Sequence, residues 1–317
     1  MNDPITPGDH TSRRAFLTGS AAAVVGGALI ANATRADEPA ANAERAVARP
    51  KRNWKKGFYG GWGPANASIL EKFKILKDAG FDGLEINAPS GKEKEYLDAF
   101  KETGLQCEGV VDAVHWNTTL SDPDPTRRAT AVEMLKKALR ECKLYGGTSV
   151  LLVPAVVSKG VSYDDAYKRS QEEIRKAIPV AEETGVKIAI ENVWNSFLLS
   201  PLEAARYIDE FNSPMVGWHF DIGNVINFGW PEQWIRILGK RIVKLHIKEY
   251  SRKKRDKEGP YAGFGVQLLE GDNDWPAIMK ALDEVGYAGG WATAEVGGGD
   301  LEKMKDVSAR LDRILAS

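Results

Sequence analysis

From Trp54 to the C-terminus, short stretches rich in β-branched and aromatic residues alternate with longer stretches in which apolar residues recur every three or four positions. The first pattern is typical of buried strands and the second of amphipathic helices. Eight strand and helix units follow one another, and such alternation requires a parallel sheet. The sequence therefore predicts an α/β fold, a single-domain (β/α)8 TIM barrel.

Glycine and proline residues separate the predicted elements, for example at Gly80 and Pro231. An open doubly wound sheet is the alternative, but no G-x-G-x-x-G motif follows the first strand. We also expect one helix from about Ser162 to Thr184 and a long loop from the seventh strand to about Asp272. The predicted strands are Lys56 to Gly60, Phe81 to Ile86, Leu105 to Val111, Ser149 to Pro154, Lys187 to Val193, Met215 to Asp221, Ile242 to Ile247 and Gly290 to Val296.

The residues before the barrel have a different character. Arg13 and Arg14 precede Phe16 and a weakly apolar run that continues to Ala33, which is typical of a twin-arginine export signal. We predict a signal peptide over residues 1–36, a disordered linker over 37–53 and the barrel over 54–317, with a periplasmic or other extracytoplasmic location. The run is too short and interrupted to span a bilayer, so no stable membrane insertion is expected after cleavage. Cleavage after Ala33 or Ala36 remains open.

Charge and cysteine content exclude several classes of partner. The 43 basic and 44 acidic residues nearly cancel, and no basic stripe interleaved with aromatic residues occurs, so no nucleic-acid partner is expected. Cys107 and Cys142 are too few for a disulfide framework, and we expect two buried thiols. The sequence leaves the oligomeric state open, with a homo-oligomer as one possibility.

Four ionisable residues stand at the C-terminal ends of predicted strands five to eight: Glu191, Asp221, His246 and Glu295. Active sites of TIM barrels form at this end, and neighbouring strands lie only about 4.8 Å apart. Each residue alone has an ordinary interpretation, a helix cap or a core histidine, but together they predict a site for one divalent cation. Three carboxylates and one imidazole suit Mn²⁺, which we prefer, or Mg²⁺, Co²⁺ or Zn²⁺.

Further polar and aromatic residues near strand ends are candidates for binding a sugar, since aromatic planes suit the apolar faces of sugar rings. Simple packing at the rim is the alternative for the tryptophans. His219 is expected to be a hydrogen-bonding core residue, and Glu85 a supporting carboxylate too far around the barrel to bind the same ion. The candidate substrate-binding residues are Trp62, His115, Trp116, Trp194, Asn195 and Lys248.

Several motifs in this order resemble the xylose-isomerase-like barrels of sugar isomerases and epimerases, which include ketose 3-epimerases and hydroxypyruvate isomerase. The motifs are Gly80-Phe81-Asp82-Gly83-Leu84-Glu85, Ile190-Glu191-Asn192, Phe220-Asp221-Ile222-Gly223-Asn224, Leu245-His246-Ile247-Lys248 and Glu270-Gly271-Asp272.

The resemblance implies roles for particular residues. Glu191 and Glu295 would be both metal ligands and the catalytic acid/base pair, and Asp221 and His246 ligands only. Arg252 matches an arginine that contacts substrate in the ketose epimerases. Asn224, also a candidate for substrate binding, stands where those epimerases often carry a histidine, and Phe197 where they often carry a glutamate.

These observations predict a metal-dependent sugar isomerase or epimerase that acts on a ketose or related sugar through an enediolate intermediate. No organic cofactor is needed. The alternatives are a lyase or deglycosidase acting on an oxidised sugar with the same metal site, and a non-catalytic sugar-binding protein. A metal-dependent endonuclease ranks last, because the chain has only four histidines and one of them, His10, lies in the signal region.

Overall fold

Eight parallel strands form one sheet in the order β1-β8-β7-β6-β5-β4-β3-β2. The computed structural model describes residues 52–317, so the predicted signal peptide and all but the end of the predicted linker lie outside the described residues. The sheet nearly closes between β1 and β2, where the Asp82 amide donates to the Lys56 carbonyl at 2.9 Å. The predicted TIM barrel is confirmed. The strands are β1 Lys55–Tyr59, β2 Gly83–Ala88, β3 Gln106–Asp112, β4 Ser149–Leu152, β5 Lys187–Glu191, β6 Val216–Asp221, β7 Ile242–Ile247 and β8 Trp291–Glu295.

Helices surround the sheet, and local sequence signals fix several of their ends. The Asp124 side chain accepts from the Thr126 amide at 2.8 Å at the start of one helix, and Gly104 and Gly146 end two helices in the left-handed conformation. The helices are α1 Ile69–Asp78, α2 Glu93–Thr103, α3 Pro125–Tyr145, α4 Tyr163–Arg175, α5 Ile178–Thr184, α6 Pro201–Asp209, α7 Ile222–Ile226, α8 Pro231–Leu238, α9 Arg252–Glu258, α10 Trp275–Glu284 and α11 Leu301–Leu315.

Two predictions about the elements were wrong. The single helix expected over 162–184 is broken into α4 and α5, because Pro179 has no amide hydrogen to continue the helical bonding and its ring clashes with the preceding turn. The expected loop after β7 contains α9, which the Ser251 side chain caps by accepting from the Lys254 amide at 3.3 Å. The basic residues of this segment thus form a helix.

Arg52, the first described residue, contacts the barrel, although the prediction assigned it to the linker. Its guanidinium forms a bidentate pair with Asp283 at 3.0 and 2.6 Å and also donates to the carbonyls of Leu315 and Ser317. The side chain is almost fully buried. Arg52 therefore contacts the barrel although it lies two residues before the predicted boundary at Trp54.

The core lies between strands and helices, but the barrel interior also encloses a polar layer. Lys244 donates to the Glu108 carbonyl at 2.9 Å, and Thr293 donates to the Glu108 carboxylate. Burial raises the pKa of Glu108 to about 7, although Lys244 opposes the shift. Gly57 leaves room here, because a Cβ at that position would collide with this carboxylate. Cys107 and Cys142 are both free and buried, as predicted.

No helix within residues 52–317 combines the length and the apolar character needed to cross a bilayer.

Candidate metal centre

Four side chains from neighbouring strands converge at the C-terminal end of the barrel. Glu191, Asp221 and Glu295 are the last residues of β5, β6 and β8, and His246 is the penultimate residue of β7. One ligand atom from each lies within 4.8 Å of all the others. Asp221 and His246 are fully buried and Glu191 nearly so, because each parallel strand delivers its last side chains to the same end of the barrel.

Two ligand atoms of this quartet lack the hydrogen-bond partners that buried polar atoms normally have. Nδ1 of His246 lies 2.9 Å from Oε2 of Glu295 and 3.8 Å from Oε1 of Glu191. Among residues 52–317, however, neither His246 Nδ1 nor Glu295 Oε2 has a hydrogen-bond partner of acceptable geometry. Unsatisfied buried atoms are costly, and a divalent cation between them would satisfy both. The residues present therefore fit such an ion.

Lys248 supplies a positive charge beside the quartet. Its ammonium group lies 3.2 Å from Oδ2 of Asp221 and 2.9 Å from Oε1 of Glu295. It also lies 5.1 Å from the centre of the Phe264 ring. Three buried carboxylates repel one another, so the ammonium group lowers the cost of holding them together.

The two candidate acid/base carboxylates have different proton affinities. Burial raises the pKa of Glu191, and the charge of Glu295 adds to this effect while His246 opposes it. Burial acts in the same direction on Glu295, but His246 and Lys248 outweigh it and hold the pKa of Glu295 well below its usual range. Burial also raises the pKa of Asp221 to about 8. Glu191 is therefore the better proton acceptor of the two.

Asn192 fixes the position of Asp221 within the quartet. Its side-chain carbonyl accepts from the Trp218 indole at 3.1 Å and from the Asp221 amide at 3.0 Å. Its amide group donates to the Asp221 carbonyl at 2.7 Å. A single side chain after β5 thus fixes the end of β6, which explains why an asparagine follows Glu191.

Glu85 orients His246 from the opposite side of the ring. Oε2 of Glu85 lies 2.8 Å from Nε2 of His246, which leaves Nδ1 facing the quartet. A carboxylate in this place fixes the tautomer of a metal-binding histidine and makes it a stronger ligand. Glu85 lies in the middle of β2, whereas the quartet residues lie at or next to the ends of their strands. The sequence predicted a supporting role for Glu85, but only the folded structure shows that its partner is His246.

We expect Glu85→Gln to weaken divalent-cation binding by about 10-fold to 100-fold, because a neutral amide oxygen accepts from Nε2 more weakly than a carboxylate and no longer makes the ring a stronger ligand. Competition with a fluorescent chelator would measure the dissociation constant. Glu173→Gln is the matched control, since Glu173 is equally buried but bonds to Arg128 and Lys176 far from the quartet. An unchanged affinity in Glu85→Gln would refute this role.

Two further rings pack on His246. Tyr59, the last residue of β1, stacks on it with ring centres 5.6 Å apart and planes 8° from parallel. Burial raises the pKa of Tyr59 to about 12, with the Glu85 charge adding to the shift. Sequence reasoning missed Tyr59 because it considered only ionisable groups of catalytic type at strand ends. The ring centre of His219 lies 4.1 Å from that of His246. Neither ring nitrogen of His219 has a hydrogen-bond partner within residues 52–317, so the predicted hydrogen-bonding role was wrong.

The candidate substrate-binding residues divide into two groups. Lys248 touches the quartet directly, and Asn224 touches it through its backbone amide, which donates to Asp221 Oδ1 at 2.9 Å. The Trp194 indole donates to the Asn224 carbonyl at 2.9 Å. Arg252 begins α9, the helix after β7, and its guanidinium donates to the carbonyls of Ile226 and Gly229.

Within residues 52–317, the hydrogen bonds and ring contacts of the other candidates are to parts of the scaffold rather than to the quartet. The Trp62 indole donates to the Lys72 carbonyl at 2.7 Å, and the Asn195 amide donates to the Ala155 carbonyl at 2.8 Å. His115 accepts from the Val153 amide at 3.1 Å, and Trp116 packs edge-on against it. These contacts could not be predicted from a position near a strand end, because they depend on the direction in which each side chain points.

His115 predicts a pH effect on stability. Burial lowers its pKa to about 4, below the value of 6.5 for an exposed histidine. As the pH falls from about 6.5 to about 4, only the unfolded chain takes up this proton, so the free energy of unfolding decreases by roughly 3 kcal/mol. Denaturant unfolding at several pH values should show a shallower decline in His115→Asn than in the wild type. Equal slopes would contradict the effect, whatever the absolute stability of the variant.

The architecture and the quartet can now be compared with known proteins. A family model described as "Xylose isomerase-like TIM barrel" matches residues 73–314. The chain belongs to this family. The resemblance inferred from the motifs is confirmed at the level of the family, whereas the twin-arginine signal stays a prediction.

Named relatives are sugar epimerases. L-ribulose-5-phosphate 3-epimerase from Escherichia coli is 24% identical over 268 residues, covering 78% of this chain and 92% of the relative. The crystal structure of 3-keto-D-glucoside 4-epimerase from E. coli has a TM-score of 0.69 at 21% identity and covers 83% of this chain and all of that one. A structure of the IOLI protein with a bound zinc atom has a TM-score of 0.67 at 18% identity, covering 83% and 98%. Epimerases are isomerases, which agrees with the predicted enzyme class.

Proposed function

We propose that this protein is a metal-dependent epimerase or isomerase of a sugar that carries a ketone. The observation that carries the proposal is the convergence of Glu191, Asp221, His246 and Glu295 within 4.8 Å, with unpartnered donor atoms facing one another. The names of two relatives support the same chemistry, since in both the inverted carbon is next to the carbon of the ketone.

A divalent cation held by this quartet, Mn²⁺ by preference, would polarise the oxygens of the ketone and of the neighbouring hydroxyl group and so stabilise the negative charge of an enediolate. Glu191 accepts the proton from the carbon beside the ketone, consistent with its raised pKa. Glu295 returns a proton to the opposite face of that carbon for epimerisation, or to the neighbouring carbon for isomerisation. A positioned acid or base contributes about 10²-fold to 10⁴-fold in rate.

We further propose that the sugar is not phosphorylated and that the protein works outside the cytoplasm. The basic residues of α9 are poorly available to a phosphate group. Arg252, Lys254 and Arg255 each donate to backbone carbonyls, which leaves Lys253 and Lys257 as the exposed cations of this helix. The twin-arginine motif supports the location, because that route exports folded proteins.

Incubation of the Mn²⁺-loaded protein with a panel of ketoses in deuterated water tests the proposal. NMR should show deuterium at the carbon next to the carbonyl of at least one sugar, together with its epimer or isomer. Glu191→Gln serves as the inactive control. A complete lack of exchange across free and oxidised sugars would exclude enolisation chemistry and favour a sugar-binding protein.

A further inference from the structure

An aromatic cleft lies beside the cation quartet, and its function is not explained by the chemistry above. A cavity of about 260 Å³ adjoins the quartet and is lined by Tyr59, Lys248, Phe264 and Glu295. A second cavity of about 290 Å³, which we call the aromatic cleft, is lined by Trp194, Leu199, Asn224, Phe228, Trp234 and Tyr261 among others.

Ring contacts connect the linings of the two cavities. The Trp194 ring lies 5.0 Å from Phe264, which faces the quartet, and 5.1 Å from Tyr261, which faces the cleft. Asn224 also connects them, because its backbone amide donates to Asp221 and the residue lines the cleft. The aromatic cleft is therefore next to the cavity at the quartet, with Trp194 between them.

The aromatic cleft exposes apolar surface that a folded domain normally covers. Tyr261 is 73% exposed and Phe228 52%, and Leu199 is also largely exposed. These are three of the eight exposed large apolar side chains in the described part of the chain, and all three line this one cleft. Clustered exposed apolar side chains mark binding surfaces, whereas isolated ones need no explanation.

The backbone of the cleft is also held in an unfavourable conformation. Ser196 and Leu198 have φ values of 59° and 53°, in the left-handed region that non-glycine residues rarely adopt. Hydrogen bonds maintain this loop, including one from the Leu198 amide to the Tyr163 hydroxyl at 2.9 Å. Strain maintained by surrounding contacts is typical of binding sites.

We propose that the aromatic cleft binds an aryl group attached through oxygen to the sugar at the quartet, so that the substrate is an aryl glycoside. This inference rests on the proposed function and specifies its substrate class. A flat apolar ring matches the exposed aromatic and aliphatic walls better than a second sugar, which would leave many hydroxyl groups without partners.

This substrate class dictates where the ketone must lie. The anomeric carbon of a glycoside is blocked by the bond to the aryl group, so it offers no free carbonyl group. The ketone must then be on a ring carbon, produced beforehand by oxidation of a ring hydroxyl group. Glu191 removes the proton from the neighbouring carbon, the C–H electron pair forms the C–C double bond, and the carbonyl π pair moves to oxygen. A sugar dehydrogenase must therefore supply the substrate.

Two matched probes test the inference: phenyl β-D-glucoside oxidised to the ketone at C3, and free 3-ketoglucose, which lacks only the aryl group. We expect kcat/KM for solvent-deuterium incorporation to be at least about tenfold higher for the phenyl probe, since burying an aromatic ring is worth that much or more. In the double variant Phe228→Ala, Tyr261→Ala this preference should disappear, while exchange into 3-ketoglucose changes less than about twofold. Leu144→Ala, an exposed residue at the end of α3, should retain the preference.

Equal kcat/KM for both probes in the wild type, or an equal loss for both in the double variant, would overturn the inference while the proposed function stands. A cellobiose-derived probe that outperforms the phenyl probe would overturn the aryl assignment. If no sugar exchanges, the proposed function fails, and calorimetric titration with unoxidised phenyl β-D-glucoside decides the cleft separately. At least about tenfold weaker binding by the double variant supports the cleft, and unchanged or undetectable binding refutes it.

Discussion

Glu191→Gln is expected to lower the rate of solvent-deuterium exchange by at least about 10²-fold, and up to about 10⁴-fold, without unfolding the barrel. The amide keeps the size of the carboxylate but cannot accept a proton at neutral pH. NMR time courses at a saturating concentration of the ketone-bearing sugar that exchanges fastest would give kcat. Glu295→Gln should cause a loss of similar size, because the proton must also be returned.

The control for this experiment is Glu182→Gln, an exposed residue on α5, which should keep the wild-type rate. Since Glu191 is also a proposed ligand, the cation content of each variant must be measured at the concentration used for the assay. Glu191→Gln that holds its cation and keeps more than about a tenth of the wild-type rate would exclude it as the base, since a general base contributes about 10²-fold or more.

Removing the divalent cation is expected to destabilise the folded chain strongly. A ligand present at about 100 times its dissociation constant stabilises the native state by about 2.7 kcal/mol, which corresponds to a shift of roughly 5 to 10 °C in Tm for a domain of this size. The physical reason is that Glu191, Asp221 and Glu295 then face one another with only Lys248 and His246 to balance their charge.

Calorimetric scans of the chelated protein, followed by titration with Mn²⁺, would measure this effect. Asp221→Asn should abolish most of the response, because it removes a fully buried ligand, whereas Asp78→Asn on the exposed end of α1 should respond as the wild type does. A Tm that is unaffected by both chelation and Mn²⁺ would show that the quartet binds no cation. Repeating the titration with Mg²⁺, Co²⁺ and Zn²⁺ would rank the candidate metals.

The fold and the quartet could be read from the sequence because both depend on periodic features. Strand and helix periods differ, and each strand of a parallel barrel ends at the same face, so Glu191, Asp221 and Glu295 are recognised by position alone. His246 follows by the same rule. Helix boundaries at Asp124 and Gly146 were also predictable, since capping and left-handed residues act locally.

Only the tertiary structure decided which distant groups meet. Glu85 reaches His246 across the barrel interior, and no spacing along the chain encodes that contact. The same holds for Arg252, whose guanidinium donates to a backbone carbonyl, and for Tyr261, whose ring contacts Trp194 at the aromatic cleft. The pattern of a strand predicts which of its residues lie at the C-terminal end of the barrel. The direction of a loop, and the residues that it contacts, depend on the packing of the whole barrel.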